Sequence, residues 1–282
     1  MPIGVFDSGL GGLTVLAALR AGLPNQDYVY LGDNAHAPYG TRPAGEIHAL
    51  TRAGVARLLE EGCGLVILAC NTASAVALRA LQEDWLPGRA GDPRVLGVFV
   101  PVIEALAGRP WAYRGPATPG AVSRVALFAT PATVASGAFP RELAMRASGV
   151  VVCQEPCPGL VAALEAGDRV AAEALVSRHV AAVLARCPDP EAAVLGCTHY
   201  PLAEAAFRRH LPPATAVYSQ PAIVAASLAA YLERHPRFRS RGGTARFLTT
   251  GDPAEVSARA LMLTGMHAGF TRTEIAPDAA IA

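Results

Sequence analysis

Short apolar runs of strand type recur along this chain, each followed by a loop and then by a segment of helical composition. Residues 3–6, 27–33, 64–69 and 95–100 are such runs, and so are 124–129, 149–154 and 192–196. Consecutive strands separated by helices need crossover connections, which make the strands parallel and cover both faces of the sheet. The expected fold class is therefore α/β. A length of 282 residues accommodates two domains of ordinary size.

Two of the runs end alike. Residues 64–69 lead into Cys70-Asn71-Thr72-Ala73-Ser74, and residues 192–196 lead into Cys197-Thr198-His199-Tyr200-Pro201. Each gives a small residue, a cysteine, two hydrogen-bonding residues and a helical segment. The carboxyl end of a strand is where open α/β sheets bind ligands. A helix N-terminus there favours the thiolate form of cysteine. One such cysteine is as readily an ordinary buried thiol. Two in matching settings, one with His199 beside it, point to a pair of thiols facing one site.

The correspondence extends further. Asp7-Ser8 ends the first run and Thr130 to Thr133 follow the fifth; Tyr39-Gly40 and Pro158-Gly159 sit in equivalent loops. This is the pattern of two pseudo-symmetric domains, each a mainly parallel sheet flanked by helices, with the active site in the cleft between them. The expected division is 1–100 with 210–282 as the first domain and 101–209 as the second. The late strands are expected to return to the first domain. The Pro/Gly-rich stretch 108–123 is expected as an exposed loop, and the chain from 264 as a tail with one edge strand.

Composition excludes several classes. The net charge of +1 provides no general attraction to nucleic acid or acidic membranes. Arg237, Arg239 and Arg241 read as a solvated loop. No stretch approaches the roughly 20 apolar residues that span a bilayer. Met1-Pro2 leads straight into a strand, without a signal peptide, so a cytoplasmic location is expected. The six cysteines are then expected to be reduced. Cys153 and Cys157 lack two further ligands at zinc-site spacing, so no metal is expected. The chain contains no lysine, which argues against a pyridoxal phosphate Schiff base and against a Walker-type loop. Gly9, Gly11 and Gly12 do not have the G-x-G-x-x-G spacing of a dinucleotide loop.

A redox dithiol normally sits as C-x-x-C, and nucleophilic catalysis needs only one cysteine. Two opposed thiols suit proton transfer at a carbon stereocentre, one removing a proton from one face and the other returning one to the opposite face. The ordinary thiol pKa of about 8.5 suits a group that alternates between base and acid. Asp7 is placed to assist Cys70, and His199 to assist Cys197.

These stretches, with Gly4-Val5-Phe6-Asp7-Ser8-Gly9, Gly32-Asp33, Pro38-Tyr39-Gly40, Cys157-Pro158-Gly159-Leu160-Val161 and Thr249-Thr250-Gly251-Asp252-Pro253, resemble the glutamate racemases of the cofactor-independent aspartate/glutamate racemase superfamily. The resemblance implies interconversion of L- and D-glutamate for peptidoglycan, with no pyridoxal phosphate and no metal. It implies that Cys197 deprotonates L-glutamate and Cys70 D-glutamate, with Asp7, Glu165 and His199 as auxiliary acid/base groups. Substrate would be held by Asp7, Ser8, Pro38, Tyr39, Gly40, Asn71, Thr72, Thr130, Thr133 and Thr198. The family also forms dimers in several arrangements, so a homodimer is an expectation. Departures include Ala129 and Pro131 around Thr130, His36 where arginine is frequent, and Ser219-Gln220 where Asp-Ser is common. Aspartate and hydantoin racemases, and a non-catalytic binding protein on the same fold, are the alternatives.

Overall fold

The computed structural model describes residues 1–109 and 115–276. Residues 110–114 of the expected loop and 277–282 of the expected tail lie outside them. The chain opens with β1 (Ile3–Asp7), α1 (Leu13–Gly22), β2 (Tyr28–Gly32), α2 (Ala44–Glu60), β3 (Leu65–Leu68), α3 (Asn71–Ala80) and β4 (Arg94–Gly97). The middle runs through α4 (Phe99–Ala107), β5 (Thr118–Pro119), β6 (Arg124–Ala129), α5 (Pro131–Ser136), α6 (Ala138–Ala144), β7 (Ala147–Ser148), β8 (Val151–Pro156), α7 (Leu160–Glu165), α8 (Arg169–Leu184) and β9 (Ala192–Gly196). Then follow α9 (Glu204–His210), β10 (Ala216–Tyr218), α10 (Gln220–Arg234), β11 (Ala245–Thr249), α11 (Pro253–Thr264) and β12 (Phe270–Arg272).

The strands form two parallel sheets, β12-β11-β2-β1-β3-β4 and β10-β9-β6-β8, besides a short β5-β7 pair. Every residue of β1, β2, β3 and β9 is buried, as strands covered on both faces must be. Helix α2 shows why its sequence folds as it does: Ile47, Leu50, Gly54, Val55 and Leu58 make one apolar stripe, and it packs on the sheet with Phe6, Val29 and Leu68. Among the described residues no helix is long and apolar enough to cross a membrane.

The sheets share a topology. Strands β2-β1-β3-β4 of the first occupy the places of β8-β6-β9-β10 in the second. This explains a departure from expectation. Strand β10 does not return to the first domain but pairs with β9, as β4 pairs with β3. The second sheet thus extends past the boundary expected at residue 209.

After each of these edge strands the chain changes partners. Helix α4 follows β4, yet its Phe99, Val102, Ile103 and Leu106 pack with Val125, Leu127 and Phe139 of the second sheet's core. Helix α10 follows β10, yet its Val224, Leu228 and Leu232 join the first sheet's core and it packs on α1. The run 95–100, expected as one strand, is divided here: β4 ends at Gly97 and α4 begins at Phe99. A continuous apolar run does not distinguish strand from buried helix. Pro101 lies in the first turn of α4, where a missing N–H costs no helical hydrogen bond.

Candidate active site

The carboxyl ends of β1 and β3 deliver Asp7 and Cys70, and those of β6 and β9 deliver Thr130 and Cys197. Cys70 and Cys197 are 4% and 6% exposed. Cys70 is the N-cap of α3, its Sγ accepting from the Ala73 N–H at 3.4 Å and donating to Ser8 Oγ at 3.5 Å. Burial, with the Asp7 carboxylate next, pushes the Cys70 thiol up to about 12. Cys70 is thus held as an acid.

Asp7 is fully buried, and Gly9 N–H donates to its Oδ2 at 3.0 Å. Thr198, from the other half, reaches its Oδ1 at 3.4 Å. Burial raises the Asp7 pKa, opposed by His199 and the Gly12 and Gly9 amides. The glycine turn after β1 serves close packing. A Cβ on Gly12 would lie 2.6 Å from Asp7 Cβ, and one on Gly11 would lie 2.3 Å from Thr198 Oγ1 and 2.5 Å from His199 Nδ1. Gly11 must lack a side chain for the turn to approach the second half, and Gly12 must lack one for the turn to close on Asp7.

A chain of contacts leads away from Cys197. Its Sγ lies 3.9 Å from His199 Nδ1; His199 Nε2 lies 2.8 Å from Glu165 Oε1; Arg259 Nη2 donates to Glu165 Oε2 at 2.9 Å. Burial pushes the His199 pKa down, but the Cys197 sulfur and Glu165 carboxylate outweigh it and lift His199 to about 10. Glu165 is pulled below its usual range, because His199 and Arg259 outweigh its burial. The surroundings thus push the two sides in opposite senses: Glu165 and the Cys197 sulfur favour the protonated form of His199, and burial with Asp7 favours the neutral thiol of Cys70.

The remaining expected residues are placed as follows. Thr72 Oγ1 meets Thr130 Oγ1 at 2.9 Å and Thr133 Oγ1 at 3.2 Å, so three buried hydroxyls join the two halves. A Cβ on Gly40 would lie 2.8 Å from Thr130 Cβ. Thr130 also caps α5 through the Thr133 N–H, with Pro131 at the first helical position. Asn71 is paired with Gln220. Pro38 is exposed. Tyr39 is buried but its hydroxyl donates to Asp33 Oδ2 at 2.6 Å. Asp33 also receives Thr250 Oγ1 at 2.7 Å and lies 2.8 Å from His36 Nδ1.

Three contributors escaped the sequence reading. Asp33 carried a usable signal, since it directly follows β2, whose last residue Gly32 pairs with Asp7 at the end of β1. Gln220 stood out only as a departure from the familiar pattern. Arg259 gave no signal, lying 94 residues from Glu165 on a surface helix. Among the described residues no group of three or more His, Cys, Asp or Glu side chains is placed to hold a metal ion.

The family model described as Asp/Glu/Hydantoin racemase matches residues 13–228. The chain is 62% identical over 260 residues to a glutamate racemase of Paracoccus denitrificans, covering 92% of this chain and 95% of that one. It superposes on a glutamate racemase of Bacillus anthracis with a TM-score of 0.84, at 27% identity and 97% coverage of both chains. A glutamate racemase of Francisella tularensis, solved in complex with D-glutamate, gives a TM-score of 0.81 at 26% identity, covering 99% of this chain and 98% of that one. With two matching sheets, two strand-end cysteines and these relatives, the chain belongs to the Asp/Glu/hydantoin racemase family.

Proposed function

We propose that this protein is a glutamate racemase, interconverting L- and D-glutamate by two-base proton transfer and supplying D-glutamate for peptidoglycan. The observation that carries the reading is the equivalence of Cys70 and Cys197: each ends the matching strand of its sheet, is buried, and has its own acid/base partner. Cys197 thiolate takes the α-proton of L-glutamate, forming S–H as the Cα–H bond breaks. The electron pair stays on the α-carbon, delocalised into the carboxylate. Cys70 then gives its thiol proton to the opposite face, which yields D-glutamate and leaves Cys70 as thiolate. The reverse reaction uses the same groups in exchanged roles. His199, held by Glu165, stabilises charge at Cys197, whereas Asp7 beside Cys70 favours the protonated thiol that donates to the substrate.

Ser8, Asn71, Thr72, Thr130, Thr133 and Thr198 provide hydroxyl and amide groups around the cysteines. Pro38, Tyr39 and Gly40 shape the loop beside Thr130, with Tyr39 acting through Asp33. No pyridoxal phosphate is proposed for a chain without lysine, and no metal. We assign residues 1–98 with 219–276 to one domain and 99–109 with 115–218 to the other, following the strand pairings and the packing of α4 and α10. A cytoplasmic location and a homodimer complete the reading; light scattering of the purified chain tests the latter.

The test is circular dichroism of L-glutamate with purified protein in deuterium oxide, without added cofactor and with chelator present, followed by mass spectrometry. Loss of optical activity with deuterium at the α-carbon is expected. Racemisation of aspartate alone would keep the mechanism and move the specificity. No change in either amino acid would overturn the reading in favour of a binding protein.

A further inference from the structure

Glu165 uses its two oxygens in opposite directions. Oε1 lies 2.8 Å from His199 Nε2, and Oε2 accepts from Arg259 at 2.9 Å. The two partners stand on different bodies. Glu165 ends α7, which packs with α8 of the second sheet's layer. Arg259 lies on α11, which packs against α1 and β12 of the first. The Arg259 to Glu165 bond therefore joins the two halves, where α7 and α11 also pack on one another.

The terminal torsion of a glutamate is broad and roughly twofold. Fixing Oε2 from outside decides where Oε1 points. His199 has no freedom beyond this, because a bond at Nε2 sets which ring nitrogen faces the sulfur of Cys197. Glu165 is 23% exposed. Without Arg259 its carboxylate is free to turn toward water.

We propose that Arg259 is a positioning residue for proton transfer at Cys197. From the first domain it holds Glu165, and through Glu165 and His199 it fixes the acid/base pair on the second. The inference rests on the proposed racemase reaction and adds to it a residue of one half that prepares the cysteine of the other. Cys70 is outside its reach, taking its bonds from Ser8 and Ala73. Among the described residues the guanidinium also approaches Glu255 at 3.6 Å, a surface pair one helical turn away. Such pairs contribute little to stability. Arg259 is 43% exposed, so its removal should leave the fold intact.

The experiment compares the full-length wild type with R259M, R259K, E165Q and the R259M/E165Q double variant. L- and D-glutamate are mirror images, so their equilibrium constant is one and kcat/KM must fall equally in both directions. One-sidedness appears instead in α-deuterium isotope effects. R259M is expected to lower kcat roughly tenfold to hundredfold, the scale of a misplaced reacting group, with an unchanged melting temperature. The isotope effect should rise for L-glutamate, whose proton goes to Cys197, and fall for D-glutamate. R259K, which keeps a donor, should recover part of the rate, and R259M should add little in the E165Q background. A wild type that racemises glutamate with any other pattern of isotope effects, or with an R259M loss as large in E165Q, overturns the inference alone. A wild type that racemises no amino acid overturns the proposed function and the inference with it.

Discussion

Asn71 and Gln220 exchange two hydrogen bonds, Asn71 Nδ2 to Gln220 Oε1 at 2.8 Å and Gln220 Nε2 to Asn71 Oδ1 at 2.6 Å. Asn71 follows Cys70 and opens α3; Gln220 opens α10, where the chain leaves the second sheet for the first core. Both are buried, at 2% and 1% exposure. Gln220→Ala leaves the buried Asn71 amide without its partner. We expect a loss of about 1–3 kcal/mol in denaturant unfolding, the usual cost of an unsatisfied buried polar group, together with weaker racemisation.

The two thiols should be separately indispensable. Cys70→Ala and Cys197→Ala each remove one of two acid/base groups, so racemisation should fall by about 10²–10⁴. Both side chains are small, and near-UV circular dichroism should stay native. Polarimetry on the purified variants checks the first point; full turnover in either one would exclude the two-thiol mechanism.

Close approach makes Gly40 and Gly45 a matched pair of tests. Alanine at Gly40 would place Cβ 2.8 Å from Thr130 Cβ, forcing the two halves apart, so kcat/KM should drop. Gly45, in the first turn of α2, has nothing within 4 Å of a built Cβ. Gly45→Ala should stabilise the protein by about 0.5–1 kcal/mol through the unfolded chain's entropy, with activity unchanged. Thermal melts and initial rates on both variants decide.

His199 should make stability depend on pH. Its native pKa, about 10, lies above its ordinary 6.5, so between these values the native state holds a proton that the unfolded state has released. Stability from this group is fully present below pH 6.5 and falls as pH rises toward 10. The difference in unfolding free energy between wild type and His199→Gln should therefore shrink from pH 6 to pH 9. A difference constant over that interval would show that His199 titrates normally.

The sequence by itself determined the α/β class, the pseudo-symmetric halves, and the cysteines with Asp7, Thr130, Thr198 and His199 at strand ends. These were legible because they depend on local order: an apolar run fixes a strand, and the residue after it must emerge at the sheet's carboxyl edge. Only the tertiary structure decided the rest. β10 joins the second sheet because its pairing partner β9 is there, and three residues of ordinary strand composition carry no record of that choice. Helices α4 and α10 cross to the opposite core because the apolar faces awaiting them belong to other segments. Gln220 and Arg259 reach the site through contacts between residues distant along the chain. A side chain's partner depends on which surfaces packing brings within about 3 Å for a hydrogen bond, and spacing along one strand or helix does not encode that.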